Sequence, residues 1–189
     1  MLLNASQSQL VLVDYQARLM PAIQDAESVL KNARLLARMA ELTGVPSIGT
    51  EQRPEKLGPN PDELRGQRTL IKSHFSAVPD GLADWLRSPV ATESSATNAN
   101  PATTRNTIVI AGCEAHVCLL QTALDLIAEA FSLWVVCDAC GSRTERNRDA
   151  AFARLARAGA TLVTTEMVGF EWLRSADHAA FREFQALIR

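Results

Sequence analysis

Residues 107–123 read TIVIAGCEAHVCLLQTA, and this stretch decides the fold class. Its opening run, Thr107 to Ala111, is β-branched and aliphatic without polar alternation, the pattern of a strand buried on both faces. Gly112 relaxes the backbone for a tight exit. From His116 onward Leu119, Leu120, Ala123, Leu126 and Ile127 recur at helical spacing. A buried strand that runs almost without linker into an amphipathic helix is half of a βαβ unit, which predicts a parallel sheet covered by helices.

The same rhythm extends outward in both directions. Leu10 to Val13, Val45 to Ile48 and Thr69 to Ile71 precede the central unit, and Leu133 to Val136 and Ala160 to Val163 follow it, giving six predicted strands. Between the first two, Asp25 to Thr43 reads as a helix with Val29, Ala33, Leu36, Ala37 and Ala40 on one stripe. Asp25 is placed to cap it, and Gly44 followed by Pro46 ends it. Glu145 to Ala158 reads as another helix stopped by Gly159, and Asp177 to Ile188 as a last one. Ser88 to Asn106, rich in Ser, Thr, Asn and Ala with no apolar stripe, breaks the rhythm and is expected to form an exposed, mobile loop. At 189 residues the whole chain, 1–189, reads as a single α/β domain with Rossmann-like spacing.

Composition narrows the function. A hydrophobic fraction of 47% with 21% charged residues is ordinary for a globular protein. A net charge of -2 and a pI near 5.9 offer no basic surface to neutralise a phosphate backbone, so nucleic acid is not the expected partner. No stretch approaches the roughly 18 apolar residues of a membrane span, and the first residues carry no basic leader, so a cytoplasmic protein without membrane attachment is expected. The four cysteines, Cys113, Cys118, Cys137 and Cys140, are then expected to stay reduced.

Ligands of open parallel sheets bind beyond the carboxyl ends of the strands. The first strand ends on Asp14, a candidate general base that could equally begin a loop or cap a short helix. The third ends on Lys72, explained either by chemistry or by a simple salt bridge to a carboxylate. The fourth leads to Cys118 in the first turn of the next helix, where free N–H groups and the helix dipole favour a thiolate; packing in the core is the alternative. Strand ends that converge would bring an acid, an ammonium and a thiol to one point.

The motifs Val13-Asp14-x-Gln16, Lys72-x-x-Phe75-Ser76-Ala77 and Ala111-Gly112-Cys113-Glu114-x-His116-Val117-Cys118 with Gln121-Thr122-Ala123 resemble, in order and spacing, the three catalytic blocks of isochorismatase-like cysteine hydrolases. The resemblance covers nearly the whole chain. It implies a three-layer α/β/α sandwich around a six-stranded parallel sheet, and an aspartate, lysine and cysteine triad that maps onto Asp14, Lys72 and Cys118. It also implies a cis peptide at Cys113–Glu114, with the backbone N–H groups of Glu114 and Cys118 as an oxyanion hole. Family members commonly assemble, so a homo-oligomer is expected. Members that cleave the vinyl ether of isochorismate in siderophore pathways lack a cysteine at the nucleophile position, whereas this chain has one. The implied reaction is therefore hydrolysis of a small amide or carbamoyl C–N bond through a Cys118 thioester. Nicotinamidases of the same superfamily carry an Asp-x-His metal motif after the second strand; here that region is Gly49-Thr50-Glu51-Gln52-Arg53-Pro54, so neither a metal nor another cofactor is expected.

Gln16, Leu19, Thr50, Glu51, Gln52, His74 and Phe75 are the expected walls of a small-molecule pocket. His116 lies two residues before Cys118, about 200° around a helix, and should face away from it. His178 should lie at the surface, and Cys137-Asp138-Ala139-Cys140 reads as core packing plus a turn, with Asp138 at the pocket rim or capping a turn. Two rival functions remain: a catalytically idle binding or assembly protein on the same fold, and a redox sensor in which Cys113 resolves an oxidised Cys118.

Overall fold

A computed structural model describes residues 1–88 and 105–188. Six parallel strands, β1 (Ser8–Val13), β2 (Ser47–Gln52), β3 (Arg68–Lys72), β4 (Thr107–Gly112), β5 (Ser132–Val136) and β6 (Thr161–Val163), form one sheet in the order β3-β2-β1-β4-β5-β6. The chain steps one way from β1 to β2 to β3, then crosses back to β4 and steps the other way. Right-handed crossovers in opposite directions put their helices on opposite faces of the sheet. Thus α1 (Ala26–Leu42), after β1, packs with α6 (Thr165–Leu173), while α4 (Leu120–Ala128), after β4, packs with α5 (Glu145–Arg157). Two short helices, α2 (Pro54–Leu57) and α3 (Leu82–Arg87), lie in the β2–β3 and β3–β4 connections, and α7 (Phe181–Leu187) ends the described chain. The architecture is the three-layer α/β/α sandwich expected, with its switch point between β1 and β4.

All six residues of β1, and Ile108 to Gly112 of β4, are buried, which accounts for their lack of alternation. Helix α1 turns Val29, Ala33, Leu36, Met39 and Ala40 onto the sheet. Truncating fully buried Leu36 to Ala would cost about 2–5 kcal/mol. Gly112 serves a close approach: a Cβ there would lie 2.3 Å from the Val13 carbonyl oxygen and 2.5 Å from the Val13 Cβ. The glycine thus lets β4 seat against β1 where the switch point opens.

Several boundaries differ from the sequence reading. Strand β2 begins at Ser47 and continues to Gln52, four residues past the predicted end, because the polar residues Thr50, Glu51 and Gln52 find partners within the fold. Asp25 precedes α1 but does not cap it: its backbone is left-handed, with φ 55°, and its side chain makes no capping bond. The last predicted helix is shorter, and α3 and α6 were not anticipated, since neither carries a long apolar stripe. The predicted loop from Ser88 to Asn106 falls mostly outside the described residues. At its ends Ser88 bonds Asp84, Arg105 donates to the Ala5 and Ser8 carbonyls, and Asn106 donates to Ala130.

Candidate active site

Beyond Val13 the chain turns sharply out of the sheet at Asp14, whose φ of 52° is left-handed, a region that aspartate enters more readily than most residues. The Asp14 N–H donates to the Thr50 carbonyl at 3.2 Å, and the Thr50 hydroxyl donates to Asp14 Oδ1 at 2.7 Å. Strand alternation explains the pairing: Thr50 lies opposite Val13 in the register, so β2 delivers both groups at the switch point.

Lys72 closes β3, which is separated from β1 by β2, and its side chain reaches over β2 to Asp14. The strand ends that meet are thus not all adjacent; the length of a lysine spans the gap. Both side chains are fully buried, with Nζ 2.7 Å from Asp14 Oδ2. The ammonium hydrogen-bonds three other oxygens: Gln52 Oε1 at 2.7 Å, the Phe75 carbonyl at 3.0 Å and the His74 carbonyl at 3.2 Å. The ammonium thus faces four oxygens, one of them the charged Oδ2 of Asp14. Asp14 Oδ2 thus faces the ammonium directly, while Oδ1 takes the Thr50 hydroxyl.

Cys118 comes from the other side of the switch point. After β4 the chain makes one π-helical turn, Ala115–Leu119, before α4 begins, and Cys118 is buried within it at 7% exposure. Such wide turns recur at functional sites. Burial first, then the Asp14 charge and its hydrogen bond, push the Cys118 thiol up to about 12 against the opposing pull of Lys72. The thiolate expected from the helix N-terminus is therefore not the resting state: desolvation and the carboxylate outweigh the ammonium, and the proton stays on sulfur.

The Cys113–Glu114 peptide is cis. Among the described residues the Glu114 N–H has no acceptor, and the Cys118 N–H has none outside its own helical turn. The Glu114 carboxylate accepts from the Arg143 N–H at 3.2 Å and from its Nε at 2.9 Å.

The other sequence candidates separate by what their polar atoms do. Gln16 is fully buried and clamps the backbone of Gln52, donating to its carbonyl at 3.0 Å and accepting from its N–H at 2.8 Å. Glu51 accepts from the Asn60 N–H at 2.9 Å and pairs with Arg65, on the opposite face of β2 from Thr50. Leu19 is half-buried against the core. Phe75 is exposed, and exposed His74 pairs with Asp80 at 3.0 Å while its carbonyl serves Lys72. His116 bonds Ser142, not Cys118. His178 caps its own turn through Ala180. All four cysteines are free, and Asp138 accepts from the Thr165 N–H and hydroxyl at the start of α6. Sequence reasoning missed Asp80, which fastens the Ser73 and His74 backbone, and the hydroxyl of Thr122, which takes the Ala77 N–H at 3.0 Å. Together they hold the loop whose carbonyls receive Lys72; an aspartate eight residues past a strand end carries no signal of that kind. No group of three His, Cys, Asp or Glu side chains is gathered as for a metal among the described residues.

Residues 8–167 match the family described as the isochorismatase domain. The chain belongs to the isochorismatase family. It is 35% identical over 184 residues to isochorismatase domain-containing protein 2A of Mus musculus, covering 96% of this chain and 82% of that one. Among solved structures, the MAR1 ribonuclease of Caenorhabditis elegans superposes with a TM-score of 0.85 at 30% identity over 100% of this chain and 92% of that one. YcaC of Pseudomonas aeruginosa, solved with hexane-2,5-diol and covalent acrylamide, superposes at 0.83 with 26% identity over 99% and 90%. The isochorismatase family fold is a hydrolase fold, and the six-stranded parallel sheet of this chain is that fold. No helix among the described residues is long and apolar enough to cross a membrane.

Proposed function

We propose that this isochorismatase-family chain is a cysteine hydrolase that cleaves a small amide or carbamoyl C–N bond through a thioester on Cys118. One observation carries the reading: at the switch point the buried Asp14 carboxylate, ion-paired at 2.7 Å to the fixed Lys72 ammonium, is coupled to the buried, protonated Cys118 thiol. A thiol held near 12 is a poor nucleophile alone and needs a base within reach.

In the first half-reaction Asp14 takes the thiol proton as Sγ attacks the acyl carbon. The backbone N–H groups of Glu114 and Cys118 receive the oxyanion. Asp14 returns the proton to the leaving nitrogen, the C–N bond breaks, and the amine departs. In the second half Asp14 deprotonates a water that attacks the thioester; the C–S bond breaks, the acid leaves, and the thiolate recovers its proton from Asp14. Lys72 carries no proton in this scheme. It balances the Asp14 charge and favours the transient thiolate.

The covalent acrylamide in the YcaC relative supports a reactive nucleophile on this fold. The ribonuclease name of the C. elegans relative does not transfer well, because a net charge of -2 provides little to hold a phosphate backbone. The test is a panel of small aliphatic amides and carbamoyl compounds, read by amine release and by intact mass. Turnover that Cys118→Ala and Asp14→Asn abolish is expected. Turnover persisting in either variant would overturn the mechanism, and an acyl adduct located on another residue would overturn the assignment of the nucleophile.

A further inference from the structure

We infer that Arg143 is a positioning residue of the oxyanion hole: acting through Glu114, its guanidinium holds and offsets a carboxylate that would otherwise set a negative charge beside the N–H that receives the oxyanion. The inference rests on the hydrolase reading above and adds a part to its site.

Glu114 is tied to the fold through its carbonyl and its carboxylate. The carbonyl accepts from the Val117 N–H at 3.0 Å and the Leu119 N–H at 3.3 Å, which joins it to the turn that carries Cys118. Oε2 accepts twice from Arg143, from the main-chain N–H at 3.2 Å and from Nε at 2.9 Å. The Glu114 N–H, by contrast, has no acceptor among the described residues. Arg143 is held in turn by the residues before it. The Gly141 carbonyl takes the Ala115 N–H at 2.7 Å, the Gly141 N–H donates to the Gly112 carbonyl at 3.3 Å, and Ser142 Oγ lies 3.0 Å from His116 Nδ1. Gly141, Ser142 and Arg143 thus grip Ala115, His116 and Glu114, the run of chain that leads into Cys118.

The charge on this anchor bears on the chemistry. A glutamate side chain keeps its carboxylate within about 6 Å of its own backbone nitrogen. The Glu114 side chain is only 10% exposed, so water screens it little, and an oxyanion on the Glu114 N–H meets a like charge at short range. Arg143 Nε, 2.9 Å from that carboxylate, supplies the opposite charge. Asp14 and Lys72 are the charges that chiefly set the Cys118 thiol, so the loss of Arg143 should fall on the oxyanion and not on the sulfur.

The experiment compares two reagents on Cys118 of the whole native chain. p-Nitrophenyl acetate acylates through a tetrahedral oxyanion: Sγ bonds the acetyl carbon, the thiol proton passes to Asp14, the C–O bond breaks and p-nitrophenolate leaves. Iodoacetamide alkylates by direct displacement of iodide and forms no oxyanion. Both are read by peptide-resolved mass spectrometry. Arg143→Met keeps an apolar stem and the main-chain N–H but loses the charge, and with 60% of the arginine side chain exposed the core does not depend on it. Acylation of Cys118 is expected to slow by about tenfold, from one weakly screened charge. Alkylation should stay at the wild-type rate. Adding Glu114→Gln removes the bare charge, leaves an oxygen for the Arg143 N–H, and should restore acylation. Unchanged acylation in Arg143→Met overturns the inference. So does an equal slowing of both reagents, the mark of a merely structural contact, or a double variant no faster than Arg143→Met. Should the urea midpoint of Arg143→Met fall, Arg143→Lys, which keeps the charge, decides: it must acylate faster than Arg143→Met relative to alkylation. Acylation of the wild-type chain on a residue other than Cys118 overturns the hydrolase reading itself, whereas Cys118 acylation indifferent to Arg143 overturns only the positioning role.

Discussion

The substitution Lys72→Met tests the energetic logic of the site apart from its chemistry. Asp14 and Lys72 form an ion pair with both side chains fully buried, and without Lys72 the carboxylate keeps the Thr50 hydroxyl on Oδ1 but loses its counter-charge. Removing one member of such a pair strands a charge in low dielectric and costs about 3–5 kcal/mol. For a chain of this size each kcal/mol lowers the melting temperature by about 2–4 °C, so the loss should be about 6–20 °C. An internal contrast sharpens the claim. Arg34 and Glu63 also approach to 2.7 Å, but their side chains are 47% and 52% exposed, and Arg34→Ala should cost no more than about 1 kcal/mol. The double variant Asp14→Asn/Lys72→Met removes both charges, retains a partner for Thr50, and should recover about 2 kcal/mol relative to Lys72→Met alone. Urea unfolding followed by tryptophan fluorescence is the assay, since Trp134 and Trp172 are buried in the sandwich. A cost for Lys72→Met as small as that of Arg34→Ala would refute the reasoning, as would a double variant whose loss equals the sum of the single losses.

Three further outcomes follow from the same geometry. Burial holds the Cys118 and Cys137 thiols at about 12 and about 11, above the ordinary 9.0, so the folded chain binds protons that the unfolded chain releases; stability should be flat below pH 9 and fall between 9 and 12, and urea midpoints across that window should show Cys118→Ala losing less than wild type. Thr50→Val keeps the shape of the side chain but leaves Asp14 Oδ1 without its donor, which should cost about 1–3 kcal/mol by urea unfolding and slow Cys118 alkylation together. Gly112→Ala places a methyl carbon 2.3 Å from the Val13 carbonyl oxygen between two buried strands, and should lower the urea midpoint by an amount equivalent to at least about 3 kcal/mol; a variant as stable as wild type would show that β1 and β4 can separate there.

The sheet was legible because its strands are short apolar runs bounded by helical periodicity, and because strand ends in such sheets collect function. Asp14 and Lys72 stood out as candidates for the same reason, each being charged immediately after residues that pack inside, and Cys118 by its place in the first turn after β4. What supports them was not. Gln16, Glu51 and Gln52 looked like pocket walls, since a polar residue near a strand end reads as exposed to ligand. In the fold Gln16 and Glu51 are spent on the chain itself, one clamping residue 52 and the other facing Asn60 and Arg65. Periodicity reports which face a residue takes, not which distant carbonyl it will meet. Asp80 and Thr122 escaped for a related reason: their partners lie in a loop and across a helix, where no repeat predicts contact.

The cost of the site explains that concealed scaffold. A buried ion pair seldom improves stability over apolar residues of the same volume, because desolvation of both charges cancels much of their attraction. Here the expense is met by main-chain carbonyls from the loop after β3 and the Gln52 amide, which hydrogen-bond the ammonium, and by the Thr50 hydroxyl, which donates to one carboxylate oxygen. Cys118, its proton still bound, is coupled to both members of the pair. The pair is thus at once a salt bridge and the buried neighbour of a thiol, and Thr50→Val disturbs it from the Asp14 side.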